Sequence, residues 1–120
     1  MPNQYRIELI KGRVAPADKT WEDGILVEGG STRPFVVERS WSGPAGHYQE
    51  HWTLRRSDGT IVMDGSRRTI FVRGMQAVST YSDAVQAPVQ LEPGTYSLVF
   101  TVEGRFMGSK DIVVRQAAAA

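Results

Sequence analysis

The residues whose types and spacing could support catalysis are His47, Glu50 and His51, and the chain has no further histidine. On a helix, His-x-x-x-His would present two imidazoles to one metal ion, as in zinc hydrolases. The surrounding segment alternates apolar and polar residues, which predicts a strand, and positions i and i+4 of a strand lie about 13 Å apart. We therefore predict no metal site and no cofactor. An enzyme that uses these three residues is the least favoured of three functional hypotheses.

Glu50 falls on the apolar side of this strand, together with Tyr48 and Trp52. An unpaired buried carboxylate is costly, so we expect Glu50 to form an ion pair at the rim of the core with an arginine such as Arg39 or Arg73. A role as a general base is the alternative, because carboxylates with shifted pKa values concentrate in functional sites.

Other familiar catalytic arrangements are missing from the sequence. The chain has no cysteine, which excludes disulfides, thiolate zinc sites and a cysteine nucleophile. It also has no Gly-x-Ser-x-Gly motif and no glycine-rich phosphate loop. We therefore expect a protein that is not an enzyme.

Two tryptophans are candidate binding residues. Trp41 and Trp52, with Arg55 from an arginine-rich central segment, could stack on and bond a carbohydrate or another small ligand. The alternative is that both indoles belong to the core or to a sheet edge.

Phe106 and Met107 are the second set of candidate binding residues. They lie in the predicted hairpin tip 104–108, beside Arg105, and interfaces between proteins are enriched in these residue types. The tip could dock on a partner, or it could fold back and cap one open end of the core.

Strands must position these side chains, because glycine and proline are spread along the chain and leave no capped stretch with a helical period. The clearest alternation runs through 47–56 and 95–102. For 74–88 we favour a strand over a loop. The remaining predicted elements are strands at 5–11, 25–28, 32–41, 60–63, 67–73, 76–82 and 110–115, a loop over 12–24, and turns at Ser57-Asp58-Gly59 and Asp64-Gly65-Ser66.

Short strands separated by frequent turns are typical of an all-β sandwich or barrel. We predict one domain over residues 1–115, an antiparallel, immunoglobulin-like β-sandwich of about eight or nine strands. Residues 116–120, a glutamine followed by four alanines, are expected to be a disordered tail.

The segment Leu91-Glu92-Pro93-Gly94-Thr95-Tyr96-Ser97-Leu98 resembles a pattern found near the end of bacterial immunoglobulin-like and fibronectin-type sandwiches. The resemblance extends over residues 89–114. It implies that a Pro-Gly turn enters a late strand, and that Tyr96 packs at the corner with its hydroxyl bonded to nearby backbone. It implies nothing specific about function, because such sandwiches host unrelated activities.

The net charge of the chain is +1, which is too small to imply a nucleic-acid or membrane partner. No apolar run has the length of a signal peptide core or a membrane span, so we expect a cytoplasmic protein. The leading hypothesis is a non-enzymatic interaction or assembly module that binds a partner protein or itself through the Phe106–Met107 hairpin and an edge strand. A carbohydrate or small-ligand binding module is the second.

Overall fold

The computed structural model describes residues 7–118, and within them the chain forms nine strands and no helix, as the all-β prediction requires. In chain order the strands are β1 (Glu8–Pro16), β2 (Ile25–Glu28), β3 (Ser31–Thr32), β4 (Phe35–Ser42), β5 (Gly46–Arg55), β6 (Ile61–Val72), β7 (Ser79–Val85), β8 (Gly94–Val102) and β9 (Arg105–Gln116).

The strands form two sheets. One has three strands in the order β1-β4-β7, and the other has six in the order β3-β2-β9-β8-β5-β6. The pairs are antiparallel except for β2 and β9, which run parallel with Ile25 opposite Val114. The expectation of a wholly antiparallel sandwich is therefore wrong at this pairing. The chain leaves the smaller sheet after β1. Strand β2 then joins the larger sheet beside β9, and these two strands run in the same direction.

The core lies between the sheets and is supplied by alternate residues of the facing strands. Strand β4 contributes Phe35, Val37 and Trp41, all essentially inaccessible to solvent. The Trp41 indole meets the ring of Phe100 from β8 edge to face, with ring centroids 6.2 Å apart. This contact joins the two sheets at their centre, in a geometry that aromatic pairs favour.

The first strand extends further along the chain than its sequence indicates. Residues 12–16, expected to be loop, belong to β1 and pair with β4 as far as Pro16 opposite Phe35. A register irregularity between Leu9 and Lys11 interrupts the alternation of apolar residues, so the sequence pattern stops there although the strand continues. Residues 5 and 6 of the predicted strand lie outside the described residues.

Strand β6 is continuous where the sequence predicts a turn at Asp64-Gly65-Ser66. In the pairing with β5, His51 lies opposite Arg67 and Thr53 opposite Asp64. Two residues of β6 therefore face one residue of β5, which is a β-bulge. Gly65 lies so close to the Trp52 indole that a Cβ atom there would be far inside van der Waals contact. The glycine marks a close approach within a strand, not a chain reversal.

Several other predicted elements are present. The turn at Ser57-Asp58-Gly59 joins β5 to β6, with the Arg56 amide bonded to the Thr60 carbonyl at 2.8 Å. A strand occurs within 74–88, although β7 begins three residues later than the predicted 76–82.

The predicted disordered tail is wrong for its first two residues. Gln116 lies in β9, and the Ala117 amide donates to the Val27 carbonyl at 2.8 Å, so the start of the tail is paired. Residues 119 and 120 lie outside the described residues.

The two sheets approach each other at the edge formed by β6 and β7. The Tyr81 hydroxyl accepts a hydrogen bond from the Phe71 amide at 2.6 Å and donates one to the Phe71 carbonyl at 2.9 Å. A single side chain from the small sheet thus satisfies the backbone groups of Phe71 in the edge strand of the large sheet, which limits pairing with another chain there.

Across residues 7–118, no helix could span a membrane.

Candidate functional site

The three residues that could have formed a catalytic group do not converge. Strand β5 points His47 and His51 outward and Glu50 inward. The His47 ring lies against Phe71, with centroids 5.0 Å apart, and His51 Nε2 lies 2.6 Å from Asp64 Oδ1. Among residues 7–118, no three histidine, aspartate or glutamate side chains lie close enough together to hold a metal ion.

Glu50 forms the predicted ion pair with Arg39, but in the core and not at its rim. Arg39 Nε donates to Glu50 Oε2 at 2.6 Å, Arg39 Nη2 bonds Glu50 Oε1, and both side chains are fully buried. Trp41 Nε1 also donates to Glu50 Oε2, at 2.7 Å. Because Arg39 comes from β4 and Glu50 from β5, the ion pair joins the two sheets.

A second carboxylate, Asp83 of β7, extends this arrangement. It lies 3.1 Å from Arg39 Nη1 and 2.7 Å from Arg68 Nη1. It also accepts hydrogen bonds from Trp52 Nε1, at 3.0 Å, and from the Ser66 hydroxyl. We call Arg39, Glu50, Asp83 and Arg68 the inter-sheet cluster.

Electrostatics keep Arg39 and Asp83 charged. Burial alone would lower the pKa of Arg39, but the hydrogen bond and charge of Glu50, reinforced by the charge of Asp83, raise that pKa above its ordinary value. Burial also opposes ionisation of Asp83, yet hydrogen bonds led by that from Ser66, and the charges of Arg39 and Arg68, hold the pKa of Asp83 below its usual range. Arg39 and Asp83 are therefore ionised at neutral pH.

The cluster is arranged to hold strands together. Glu50 and Asp83 each accept bonds from an arginine and from an indole N–H, so their oxygens are already engaged. Of the residues that join Glu50 in the cluster, Arg39 was predicted from the sequence, whereas Asp83 and Arg68 were not. A signal for Arg39 is its place in the inward alternation of β4, whereas β7 is largely polar and shows no inward face in its sequence.

Trp41 and Trp52 lie in the core, with relative exposures of 0% and 2%. The hypothesis that they form an exposed stacking pair is wrong, because each indole is packed between the sheets and each N–H is bonded to a carboxylate. Arg55, grouped with them in the sequence analysis, is half-buried on the outer face of the large sheet, where its Nε donates to Thr53 Oγ1 at 2.9 Å.

The β8–β9 hairpin turns earlier than predicted. Its turn residues are Glu103 and Gly104, both with left-handed φ angles, 52° and 77°. Phe106 and Met107 therefore lie in β9 and not at the tip. Phe106 is 65% exposed, while Met107 packs against the core. Phe106 thus has the exposure that docking on a partner requires, whereas Met107 has the core contact expected of a cap.

Phe106 belongs to a row of side chains across the outer face of the large sheet. The pairing places Phe106 beside Thr101, Thr101 beside His51, and His51 beside Arg67. Neighbouring strands lie about 4.8 Å apart, so the row spans about 14 Å. We call these four residues the outer row. Next to it is a shallow depression, to which Gln49 and Gly104 contribute with His51, Thr101 and Arg67.

Two tyrosines form similar corners where strands of the large sheet begin. The Tyr96 hydroxyl donates to the Glu92 carbonyl at 2.7 Å, as the resemblance of residues 89–114 implies. The Tyr48 hydroxyl donates to the Pro44 carbonyl at the same distance and the same four-residue separation. In each case a glycine lies two residues before the tyrosine, and a Cβ atom added at that glycine would contact the tyrosine ring.

The comparisons with known proteins show the fold of the domain and no more. No family model matches the chain, and no curated protein matches its sequence. Solved structures do match, and the chain is similar in fold to all-β domains within larger bacterial proteins. At the identities observed, the likeness shows the fold alone.

Among these, the C-terminal domain of wzt matches with a TM-score of 0.61 and 12% identity, over 99% of this chain and 84% of that one. A β-glucosidase from Listeria innocua matches with a TM-score of 0.59 and 14% identity, over 96% of this chain and 17% of that one. An immunoglobulin-like protein from Pseudomonas aeruginosa matches with a TM-score of 0.49 and 14% identity, over 95% of this chain and 100% of that one. The chain spans about a sixth of the length of the glycosidases that it matches.

Proposed function

We propose that the fold is immunoglobulin-like. In such sandwiches, strands A, B and E form one sheet and strands C, F and G the other, with a tyrosine corner at the start of F and a buried tryptophan on C. Here β1, β4 and β7 lie in one sheet, and β5, β8 and β9 lie in the other. Tyr96 stands at the start of β8, and Trp52 is buried on β5.

We infer further that the domain is a non-enzymatic interaction module, which docks on a partner protein through the outer row. The observation that carries this proposal is the exposure of Phe106, whose large apolar ring is 65% accessible on a strand of the sheet. Aromatic and arginine side chains dominate the binding energy of protein interfaces, and both are present in the row. The backbone at Phe106 and Arg67 is fixed in paired strands, so binding has to order only their side chains.

Charge indicates what kind of surface the partner presents. Arg67 has no acidic partner among residues 7–118, and it stands at the opposite end of the row from Phe106. A complementary surface would offer an apolar pocket for Phe106 and a carboxylate for Arg67 about 14 Å away.

The test compares three forms of the protein: wild type, a Phe106→Ala/Arg67→Ala double variant, and a Met75→Ala control. Met75 is 64% exposed and lies outside the row, in the loop between β6 and β7. Native mass spectrometry would detect self-association, and affinity capture followed by direct titration of the captured protein would detect a partner. We expect the double variant to lose the complex and Met75→Ala to keep it. An equal affinity in the double variant, or no complex with the wild type, would overturn the proposal.

The second hypothesis, a carbohydrate or small-ligand site on Trp41 and Trp52, has no accessible surface at those residues, since both are buried. Trp21, by contrast, is 76% exposed.

A further inference from the structure

Trp21 is exposed, unlike the other two tryptophans of the chain. Its relative exposure is 76%, the highest of the exposed large apolar side chains among the described residues. It lies in the connection between β1 and β2, residues 17–24, which we call the tryptophan loop. An indole that faces water loses the favourable burial that most large aromatic side chains obtain in folding.

The tryptophan loop is held by two arginines from different strands. Arg13 of β1 donates from Nη2 to the Thr20 carbonyl at 2.6 Å and contacts Asp23 Oδ1 at 3.1 Å. Arg115 of β9 donates to the Asp23 carbonyl at 2.9 Å and to Glu22 Oε2 at 2.7 Å. These bonds lie on both sides of Trp21, so the indole is displayed from an ordered support.

The end of the loop contacts one strand of each sheet, β1 and β9. The Gly24 amide donates to the Val14 carbonyl at 2.8 Å. Gly24 has a φ of 107°, and a Cβ atom there would lie 2.6 Å from the Val113 carbonyl oxygen. A glycine is therefore required for the loop to approach β9, and this contact fixes its end three residues after Trp21.

The surroundings of Trp21 indicate what would cover it. Its neighbours in the loop, Asp18, Lys19, Glu22 and Asp23, are charged, and cores of protein interfaces are depleted in aspartate, glutamate and lysine. Glu22 and Asp23 each bond an arginine through one carboxylate oxygen, which leaves their second oxygens, with Asp18 and Lys19, for a polar ligand. A flat apolar ring flanked along the loop by such groups matches the chemistry of a sugar. One face of a pyranose carries C–H groups that stack on an aromatic ring, while its hydroxyls bond carboxylates and cations.

We propose that Trp21 is a stacking platform for a saccharide, on a loop that Arg13 and Arg115 hold in place. This site lies on the β1–β2 connection, whereas the outer row lies on β5, β6, β8 and β9. The inference goes beyond the proposed protein interaction and does not depend on it.

Tryptophan fluorescence can isolate this site, because Trp41 and Trp52 are buried and an aqueous quencher such as acrylamide reaches Trp21 preferentially. The probes are cellohexaose, laminarihexaose, chitohexaose and mannohexaose, titrated separately. We expect at least one of them to shift the emission to shorter wavelength and to protect Trp21 from the quencher. Trp21→Ala should weaken binding by about tenfold or more in calorimetry, whereas Trp21→Phe should retain part of the affinity.

Two further variants separate stacking from support. Arg115→Ala keeps the indole but loosens the tryptophan loop. We expect a loss of affinity of roughly threefold to tenfold, because the loop must then be ordered when the saccharide binds. Met75→Ala, which removes a comparably exposed side chain elsewhere, should bind as the wild type does. Absence of binding by all four probes, or equal affinity of Trp21→Ala and the wild type, would overturn the proposal. Phe106→Ala should leave sugar binding unchanged, so this test and that of the protein interaction fail separately.

Discussion

At the scale of single residues, the inter-sheet cluster is the most unusual feature of the core. Arg39 and Glu50 are both fully buried, and each bonds the other through two atoms. A buried ion pair contributes little compared with apolar residues of the same volume, but removal of one partner leaves the other charge without compensation. We therefore infer that the pair favours this arrangement of the sheets over others. In a different arrangement the two charges would be separated, and each would be buried without its partner.

Glu50→Gln tests that argument. The neutral amide cannot replace the charge of Glu50, and Arg39 keeps only Asp83 as an ionised partner, so we expect a loss of about 3 kcal/mol in the free energy of unfolding, measured by urea denaturation. Glu28→Gln is the matched control, because Glu28 forms an ion pair with Arg33 at the surface, where removal costs about 0.5 kcal/mol. Similar small losses in both variants would contradict the role assigned to burial.

Asp83 predicts how stability depends on pH. The pKa of Asp83 is held below its ordinary value in the folded chain, so the unfolded chain binds a proton at higher pH than the folded one. Its contribution is therefore present above the unfolded pKa, about 3.9, and is lost as the pH falls through the lower folded pKa. We expect Asp83→Asn to destabilise the protein by about 2 kcal/mol at pH 7 and to reduce the slope of stability against pH below about pH 4. Parallel denaturation series at pH 7, 4 and 3 would measure this, and an unchanged slope would contradict it.

At the scale of elements, the bulge in β6 controls how that strand passes the core. Gly65 lets the backbone lie against the Trp52 indole, and the residues after it, Ser66 and Arg68, then reach Asp83. The bulge, the buried tryptophan and part of the inter-sheet cluster thus depend on one position without a side chain.

Gly65→Ala should disturb all three features together. The added methyl group would overlap the Trp52 ring, and the displacement should cost about 2 kcal/mol or more, with a change in the near-UV circular dichroism of the buried indoles. Gly29→Ala is a suitable comparison, since a Cβ atom there meets nothing within 4 Å and only the φ of 61° is unfavourable. We expect that variant to lose about 1 kcal/mol and to keep its near-UV spectrum. An unaltered near-UV spectrum for Gly65→Ala would show that Trp52 has not moved.

At the scale of the whole molecule, β9 connects parts of the chain that are distant in sequence. It pairs with β8 along most of its length and with β2 near its end, and its inward residues Ile112 and Val114 are buried in the core. The parallel pairing with β2 joins the first and last parts of the large sheet.

Truncations would separate β9 from the residues after it. Removal of residues 118–120 leaves the strand and the Ala117 bond intact, so we expect no measurable change in Tm. Removal of residues 112–120 deletes two core side chains and the partner of β2, and we expect loss of cooperative unfolding in calorimetry. A cooperative transition in the shorter chain would contradict the importance given to β9.

The sequence by itself determined the all-β class, the strands 25–28, 47–56 and 95–102 to within a residue or two and the turn at Asp58-Gly59, and the resemblance of residues 89–114 implied the tyrosine corner at Tyr96. Each depends on local chemistry, namely alternation of residue types, a glycine with an uncommon φ, or a hydroxyl that bonds backbone four residues away. Such features are encoded within a few residues.

Only the tertiary structure decided the rest. Asp83 and Arg68 meet Arg39 across two sheets, Gly65 lies in a strand because Trp52 occupies the space beside it, and the two buried tryptophans leave Trp21 as the one that is exposed. A glycine beside an aspartate reads as a turn, and a tryptophan reads equally as core or as surface, until the facing strand is known. The physical reason is that burial and charge pairing are set by neighbours distant in the chain, which no local pattern specifies.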